Sequence, residues 1–276
     1  VDQQSQLDDA CAAISRDSLI AIDTEFARTT QFTPRLCLVQ IAAGARIFCV
    51  DELAGLDTRP LWDILCAGTG MRVLHAAKQD LEVAWVTHQC LPQPLFDTQI
   101  AAALVGHPAQ VGYAALVKTL LDIDVDKTHT RADWSQRPLR PELIAYANTD
   151  VIHLPTVHAM LCEELERLGR HAWAIEDSAR LVDPALYRND PDGAWRRLSG
   201  LPRMPVAVQV RARRLRAGGK RMQSARTGPG SGSSAIARCW LSHNAIRQTK
   251  LRSPTAKICQ PAWCGVRAAR CSPSWQ

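Results

Sequence analysis

The sequence predicts an α/β fold in which a mixed β-sheet is flanked by helices. Three apolar segments, SLIAIDTEF, RLCLVQIAA and ARIFCVDEL, follow one another, and the Ala43-Gly44-Ala45 turn between the last two is typical of an antiparallel hairpin. Strands and helices then alternate, with MRVLHAA before KQDLEVAWVTHQ and a short strand in LPQPLFDTQ before the helix DTQIAAALVG. Because such alternation is typical of parallel strands, the sheet is expected to contain both kinds of pairing.

The remaining elements are predicted to be helical. A first helix over about residues 3–15 places Leu7, Ala10, Cys11 and Ile14 on one face. Thr58 followed by Pro60 is a start signal for the helix through LWDILCAG. The chain from the DTQIAAALVG helix to about residue 182 is expected to be helical, with a loop at 125–140. Pro155 is expected to interrupt the late helix.

The composition is that of a globular cytoplasmic protein. Of the 276 residues, 46% are apolar and 22% are charged, and no stretch approaches the roughly 20 apolar residues of a membrane span. The polar N-terminal segment lacks the basic and apolar regions of a secretory signal. Several of the ten cysteines, Cys37, Cys49 and Cys66 among them, lie in apolar runs and none forms a CxxC pair, so reduced thiols are expected.

Charge and composition divide the chain into an acidic body and a basic tail. All 27 acidic residues lie at or before Asp192, against 16 Lys plus Arg, which gives −11, whereas residues 193–276 carry 17 Lys plus Arg and no acid. We expect a first domain over 1–190 and, over 191–217, a linker and the start of a basic helix. The tail over 218–276 contains no acidic residue but does contain Trp and Cys. We expect that it is not a native fold. A shifted reading frame would explain it, and the gene sequence tests this hypothesis.

Five residues in three segments carry the chemistry. Asp23 and Glu25 are two apart on a predicted strand, so their carboxylates share a face. Asp80 begins a helix, and Tyr146 and Asp150 are four apart on a late helix, so they also share a face. Each pair alone is compatible with ordinary surface residues. Together, four carboxylates that converge would repel one another unless divalent cations lay between them, which predicts a two-metal site for phosphodiester hydrolysis.

The joint pattern resembles the DEDD superfamily of 3′→5′ exonucleases in its Tyr-containing subgroup, and within it the ribonuclease D family. The segments that carry the resemblance are IDTEFARTTQFTPRLCLVQIA, VLHAAKQDLEVAW, PLFDTQIAA, KTHTRADWSQRPL and LIAYANTDVIHLPTVHAML, over about residues 17–165. The resemblance implies an RNase H-like fold, two Mg²⁺ or Mn²⁺ ions, and release of 5′-mononucleotides from single-stranded RNA 3′ ends, tRNA precursors included. The family's helical HRDC-type domain resembles this chain only over residues 205–217.

The resemblance also assigns roles to individual residues. Asp23, Glu25, Asp80 and Asp150 are expected to ligate the metals, with Tyr146 orienting the attacking water. The candidate substrate-binding residues are Phe26, Thr24, His75, Gln99, Lys127, Arg131 and Arg137. His129 is a further candidate in the same loop, and Trp134 is expected to anchor that loop by packing.

Two other functions fit the same residues. A DNA 3′→5′ exonuclease would use the same acids, because nothing in the sequence indicates how a 2′-hydroxyl is recognised. A damaged family member could act only as a nucleic-acid-binding module. We expect a monomer that does not associate with a membrane.

Overall fold

The structure is a computed structural model, and it describes residues 1–27, 34–126, 128–129, 132–188, 201, 204–212 and 214. All of the described residues belong to one compact unit, Val1–Gln223. The predicted non-native tail over 218–276 lies outside the described residues. The described part of 191–217 includes a helical segment at 206–212, where a basic helix was expected to start.

The described residues form a five-stranded mixed sheet with the order β3-β2-β1-β4-β5. Antiparallel pairing joins β1 to β2 and β2 to β3, and parallel pairing joins β1 to β4 and β4 to β5. The predicted mixture of hairpin and crossover connections is therefore confirmed. The strands are β1 Leu19–Ala27, β2 Arg35–Ala43, β3 Arg46–Asp51, β4 Met71–Leu74 and β5 Leu95–Asp97.

The described helices lie in two layers, one on each face of the sheet. They are α1 Gln4–Ile14, α2 Arg59–Ala67, α3 Lys78–His88, α4 Thr98–Leu104, α5 Tyr113–Leu121, α6 Pro141–Ile152, α7 Leu154–Arg167 and α8 His171–Ala179. Short 3-10 turns follow at Arg180–Val182 and Pro184–Leu186. Apolar residues of α1, α2 and α3 pack on one face of the sheet, and those of α4, α5, α7 and α8 pack on the other.

Side chains along β1 alternate between the two faces of the sheet, and this alternation determines the face on which the acids lie. Ile20 and Ile22 lie in the core beneath α1 to α3, whereas Ala21 lies in the core on the opposite face. Asp23 and Glu25 continue the row that Ala21 begins, because successive strand residues point to opposite faces. Helix α6 contacts β1, β2 and β3. The acids of β1 therefore belong to the face that α6 covers.

Proline and glycine mark two of the predicted boundaries. The late helical segment divides after Ile152, and a new helix begins at Leu154 with Pro155 in its first turn. Proline fits there because the first amides of a helix have no partner within it. Gly44 has φ +56° in the turn between β2 and β3, a left-handed conformation that glycine adopts without strain.

Strand β4 is shorter than the sequence predicted. MRVLHAA was expected to be extended throughout, but β4 ends at Leu74. Ala76 then adopts φ +55°, and the amides of Ala76 and Ala77 donate to the carboxylate of Asp97, at 3.1 and 2.9 Å. This side chain from the neighbouring strand turns the backbone away from the sheet, a long-range contact that the local pattern does not contain. In the described part of the chain, no helix is both long enough and apolar enough to cross a bilayer.

Candidate active site

The first two acids of the site lie near the carboxyl end of the central strand β1. Asp23 pairs with Gln40 of β2, and Glu25 pairs with Leu38. The register shifts between Glu25 and Phe26, which is where the ladder with β2 becomes irregular. Asp23 and Glu25 are both partly buried. The predicted common face of the two carboxylates is consistent with their position in the structure.

Helix α6 brings a third carboxylate to this pair. Single oxygens of Asp23, Glu25 and Asp150 all lie within 4.8 Å of one another. Tyr146, one helical turn before Asp150, is 9% exposed and lies in a hydrophobic cluster with Cys37, Leu38 and Trp134. Residues 127 positions apart in the sequence therefore meet at one point, as the pattern predicted.

Asp80 lies beside this group and has a partner of its own. It is in the first turn of α3, and its Oδ1 accepts a hydrogen bond of 2.5 Å from the Thr24 hydroxyl. Its negative charge contributes to raising the pKa values of both Asp23 and Glu25, so it is close enough to act on them. Among the described residues, the group of oxygens within 4.8 Å contains the other three acids but not Asp80.

The pKa values of all four acids are raised. Burial is the largest cause for each, and it raises the pKa of Glu25 to about 8, of Asp150 to about 7 and of Asp80 to about 6. For Asp23, burial and then the charges of Asp80, Asp150 and Glu25 raise the pKa well above its usual range. The cluster therefore resists holding four negative charges by itself.

These residues fit a divalent cation. Carboxylate oxygens are the ligands that Mg²⁺ and Mn²⁺ prefer, and a cation would relieve both the repulsion and the burial of negative charge. The raised pKa values and the 4.8 Å grouping are the two observations that support this fit.

Aromatic side chains surround the Tyr146 ring. The His129 ring meets it edge-on with centroids 5.8 Å apart, and the Trp134 ring is tilted against it at 6.2 Å. Trp134 is 3% exposed, in keeping with the packing role expected for it. The loop before α6 therefore holds Tyr146 in place through its rings.

Several candidate substrate-binding residues already have partners within the protein. Thr24 is buried and bonds Asp80, and Phe26 packs against the core beneath α1 to α3. His75 contacts the Thr98 hydroxyl with Nδ1, at 2.9 Å, and the Val111 carbonyl with Nε2, at 3.0 Å. Gln99 donates to the same carbonyl at 2.9 Å. Substrate contacts by these residues stay predictions.

Arg137 is also engaged within the protein. Its guanidinium forms a bidentate ion pair with Asp51, with N–O distances of 2.6 Å, and donates to the carbonyls of Cys37, Trp134 and Gln136. These contacts use all five of its N–H groups. In this arrangement Arg137 joins the loop to β2 and β3, and its predicted contact with RNA has no support from the geometry. Lys127 and Arg131 lie outside the described residues.

The structure adds residues to the site that the sequence did not indicate. Tyr113 donates to the Thr149 carbonyl at 2.9 Å, and its pKa is raised by burial and then by the charge of Asp150. Gln40, opposite Asp23, is 0% exposed, and its amide has no hydrogen-bond partner among the described residues. The glutamine in LCLVQIA interrupts an apolar run, and this was the one signal available from the sequence.

A family model described as 3′-5′ exonuclease matches residues 1–166, more than half of the chain. The chain belongs to the 3′-5′ exonuclease family. The matched range contains all five residues that the motifs singled out. The resemblance to ribonuclease D is confirmed as well, since curated relatives of that name occur at 46% identity.

Two of these relatives show how much of the chain the sequence similarity covers. Ribonuclease D of Gluconacetobacter diazotrophicus is 46% identical over 186 residues, which is 67% of this chain and 47% of that protein. Ribonuclease D of Zymomonas mobilis is 46% identical over 197 residues, which is 71% of this chain and 50% of that protein. The chain thus spans about half the length of the curated relatives it matches.

Two solved structures have the same fold. Escherichia coli RNase D matches with a TM-score of 0.74 at 33% identity, over 82% of this chain and 60% of that one. Brucella melitensis NrnC with bound Mg²⁺ matches with a TM-score of 0.57 at 28% identity, over 63% of this chain and 85% of that one. The RNase H-like mixed sheet predicted from the motifs is confirmed.

Proposed function

We propose that this chain contains the catalytic domain of a 3′→5′ exoribonuclease of the ribonuclease D type. The single observation that carries the proposal is the meeting of Asp23 and Glu25 with Asp150, within 4.8 Å, on a helix that also carries Tyr146. Escherichia coli RNase D, a protein of the same fold, is described as an exoribonuclease involved in structured RNA processing. The proposed substrates are single-stranded RNA 3′ ends, including those of tRNA precursors.

Asp23, Glu25, Asp80 and Asp150 would hold two divalent ions, Mg²⁺ or Mn²⁺. The Mg²⁺ bound to Brucella melitensis NrnC supports this choice of ion. When bound, the ions would supply activation of the attacking water and would offset negative charge on the phosphodiester and on the leaving 3′ oxygen. Asp23 would be the central member of this ligand set, because its pKa responds to the charges of all three other acids.

The protein side chains would align the attacking water with the phosphodiester. The Tyr146 hydroxyl would hold the attacking water in line with the terminal phosphodiester by a hydrogen bond. Phenols are weak bases at neutral pH, so orientation suits Tyr146 better than proton removal. His129 and Trp134 restrict its ring. Cleavage of the terminal bond would release one 5′-mononucleotide in each cycle.

The function is tested with a single-stranded RNA labelled at its 5′ end, incubated with the chain and Mg²⁺. We expect progressive shortening from the 3′ end, release of 5′-mononucleotides and loss of both with EDTA. Asp23→Asn should abolish shortening, whereas Glu142→Gln, an exposed acid on α6, should not. Shortening by Asp23→Asn at the wild-type rate would refute the site.

A matched DNA oligonucleotide and a binding measurement test the alternatives. Faster digestion of DNA than of RNA would indicate a DNA exonuclease of the same chemistry. RNA binding without release of mononucleotides would indicate a nucleic-acid-binding module.

A further inference from the structure

Two cysteines outside the acid cluster lie unusually close together. The Sγ atoms of Cys66 and Cys90 are 2.6 Å apart, and both residues are free thiols. Cys66 is in the last turn of α2, and Cys90 lies two residues beyond the end of α3. Bonded sulfurs are about 2.0 Å apart, so a shift of well under 1 Å would join them. Both side chains are partly exposed, so a small oxidant can reach them.

We propose that Cys66 and Cys90 form a reversible disulfide, with Cys90 as the attacking sulfur and a low-molecular-weight disulfide as oxidant. The bond would tie the end of α2 to the segment after α3. The 4.8 Å acid grouping does not involve either cysteine, so the proposal is independent of the nuclease function.

The surroundings of the pair assign the attacking role. The Cys66 thiol donates its hydrogen bond to Cys90, and this contact lowers the pKa of Cys90 against the opposing effects of burial and Asp63. The same contact, and then burial, raises the pKa of Cys66. Since the thiolate is the nucleophile in disulfide exchange, Cys90 attacks first and Cys66 resolves.

A buried cation that acts on Cys66 favours the same chemistry. Arg72 is 0% exposed, and its guanidinium donates to the carbonyls of Ile64 in α2 and of Gly68 and Gly70 after it. Its Nε has no partner among the described residues. The positive charge of Arg72 acts to lower the pKa of Cys66, which assists the second step, in which Cys66 must lose its proton.

The thiol–disulfide exchange takes place in two steps. The Cys90 thiolate attacks one sulfur of the small disulfide, whose S–S bond breaks and whose departing thiolate takes up the proton that Cys90 released. Cys66 then loses its proton and attacks the Cys90 sulfur of the mixed disulfide, releasing the second small thiol. Two protein thiols are oxidised and one small disulfide is reduced to two thiols.

The experiment exposes the native full chain to oxidised glutathione, traps free thiols by alkylation and maps the peptides by mass spectrometry. We expect a Cys66–Cys90 linked peptide that disappears with dithiothreitol. The same peptide should still form in the control variant Cys162→Ser, which removes another partly exposed thiol. Separate alkylation of Cys66 and Cys90 after oxidation of the wild type would overturn the proposal.

Single variants test the order of attack. Cys66→Ser should accumulate a glutathione adduct on Cys90, because no thiol is left to resolve it, and Cys90→Ser should leave Cys66 largely unmodified. The reverse pattern would overturn the assignment of Cys90 as attacker.

Closing the loop of about 25 residues should raise the Tm of the wild type by about 5 to 10 °C. A lower Tm after oxidation would contradict a bond formed within the native fold.

Discussion

Gln40 shows how a single buried side chain can mark a site. Its amide lies opposite Asp23, is fully buried and has no hydrogen-bond partner among the described residues. A buried amide without partners costs about 1–3 kcal/mol, so its presence in an apolar strand needs a reason. We propose that the reason is its place beside Asp23, whose carboxylate it would orient when the proposed cation binds.

Replacement of Gln40 by methionine, which has a similar shape, should separate stability from function. Without divalent ions, Gln40→Met should be more stable than the wild type by about 1 kcal/mol, because an unpaired polar group is removed. Activation of RNA shortening by Mg²⁺ should weaken about tenfold, as for partners of metal ligands in general. Urea unfolding in EDTA and a Mg²⁺ titration of activity measure the two effects. Gln79→Met on the exposed surface of α3 is the control and should change neither.

Tyr146→Phe removes one hydroxyl and keeps the ring between His129 and Trp134. We expect kcat to fall by about 10² or more, because a group that positions the attacking water is lost. Affinity for Mg²⁺ should stay within twofold, since no carboxylate changes. Single-turnover kinetics and calorimetric ion titration measure these quantities. An equal loss of ion affinity would show that Tyr146 acts through the metal ligands instead.

Asp97 connects the end of β5 to the start of α3. Its carboxylate caps α4 through the amides of Gln99 and Ile100 and also accepts from Ala76 and Ala77, just before α3 begins. One buried side chain therefore fixes the starts of α4 and α3, and α3 carries Asp80.

Asp97→Asn should both destabilise the fold and disturb the site. The carbonyl oxygen of the new amide can replace Oδ1, but its NH₂ group would face the Ala77 amide, which leaves a buried donor unpaired at a cost of about 2 kcal/mol. RNA shortening should fall more than stability alone explains, because Asp80 loses its fixed position. Urea unfolding and activity at a temperature where the variant is folded test this. Asp57→Asn, in an exposed pair with Arg59, should be nearly neutral.

The local pattern predicted the elements and the acids, and it did so for physical reasons. The two-residue period of a strand placed Asp23 with Glu25, and the four-residue spacing of a helix placed Tyr146 with Asp150. Contacts that depend on register or on packing between elements have no local signal. The pairing of Gln40 with Asp23 is of this kind. So are the approach of Tyr113 to Asp150 and the engagement of Arg137 by Asp51.

The acid cluster makes the free energy of unfolding of the protein depend on pH. Burial favours the protonated form of Glu25, with a pKa of about 8, and of Asp150, with a pKa of about 7. The folded chain therefore binds more protons than the unfolded chain between the ordinary carboxyl pKa values, near 4, and about pH 8. Without divalent ions, the free energy of unfolding must fall as the pH rises through this window.

We expect a fall of at least about 2 kcal/mol between pH 5 and pH 8 in EDTA, measured by urea unfolding. Mg²⁺ should restore more stability at pH 8 than at pH 5, because it binds the ionised acids. Asp150→Asn should flatten the pH dependence, and Glu142→Gln should preserve it. A wild-type stability that rises with pH would show that the acids are not buried together.

The distance along the chain between the two halves of the acid cluster has a consequence during synthesis. Strand β1 supplies Asp23 and Glu25 early, whereas α6 supplies Asp150 only after all five strands have been synthesised. A growing polypeptide on the ribosome therefore has no assembled cluster until α6 has left the exit tunnel. Each new copy of the chain would thus acquire the proposed nuclease activity only when synthesis of the domain is nearly finished.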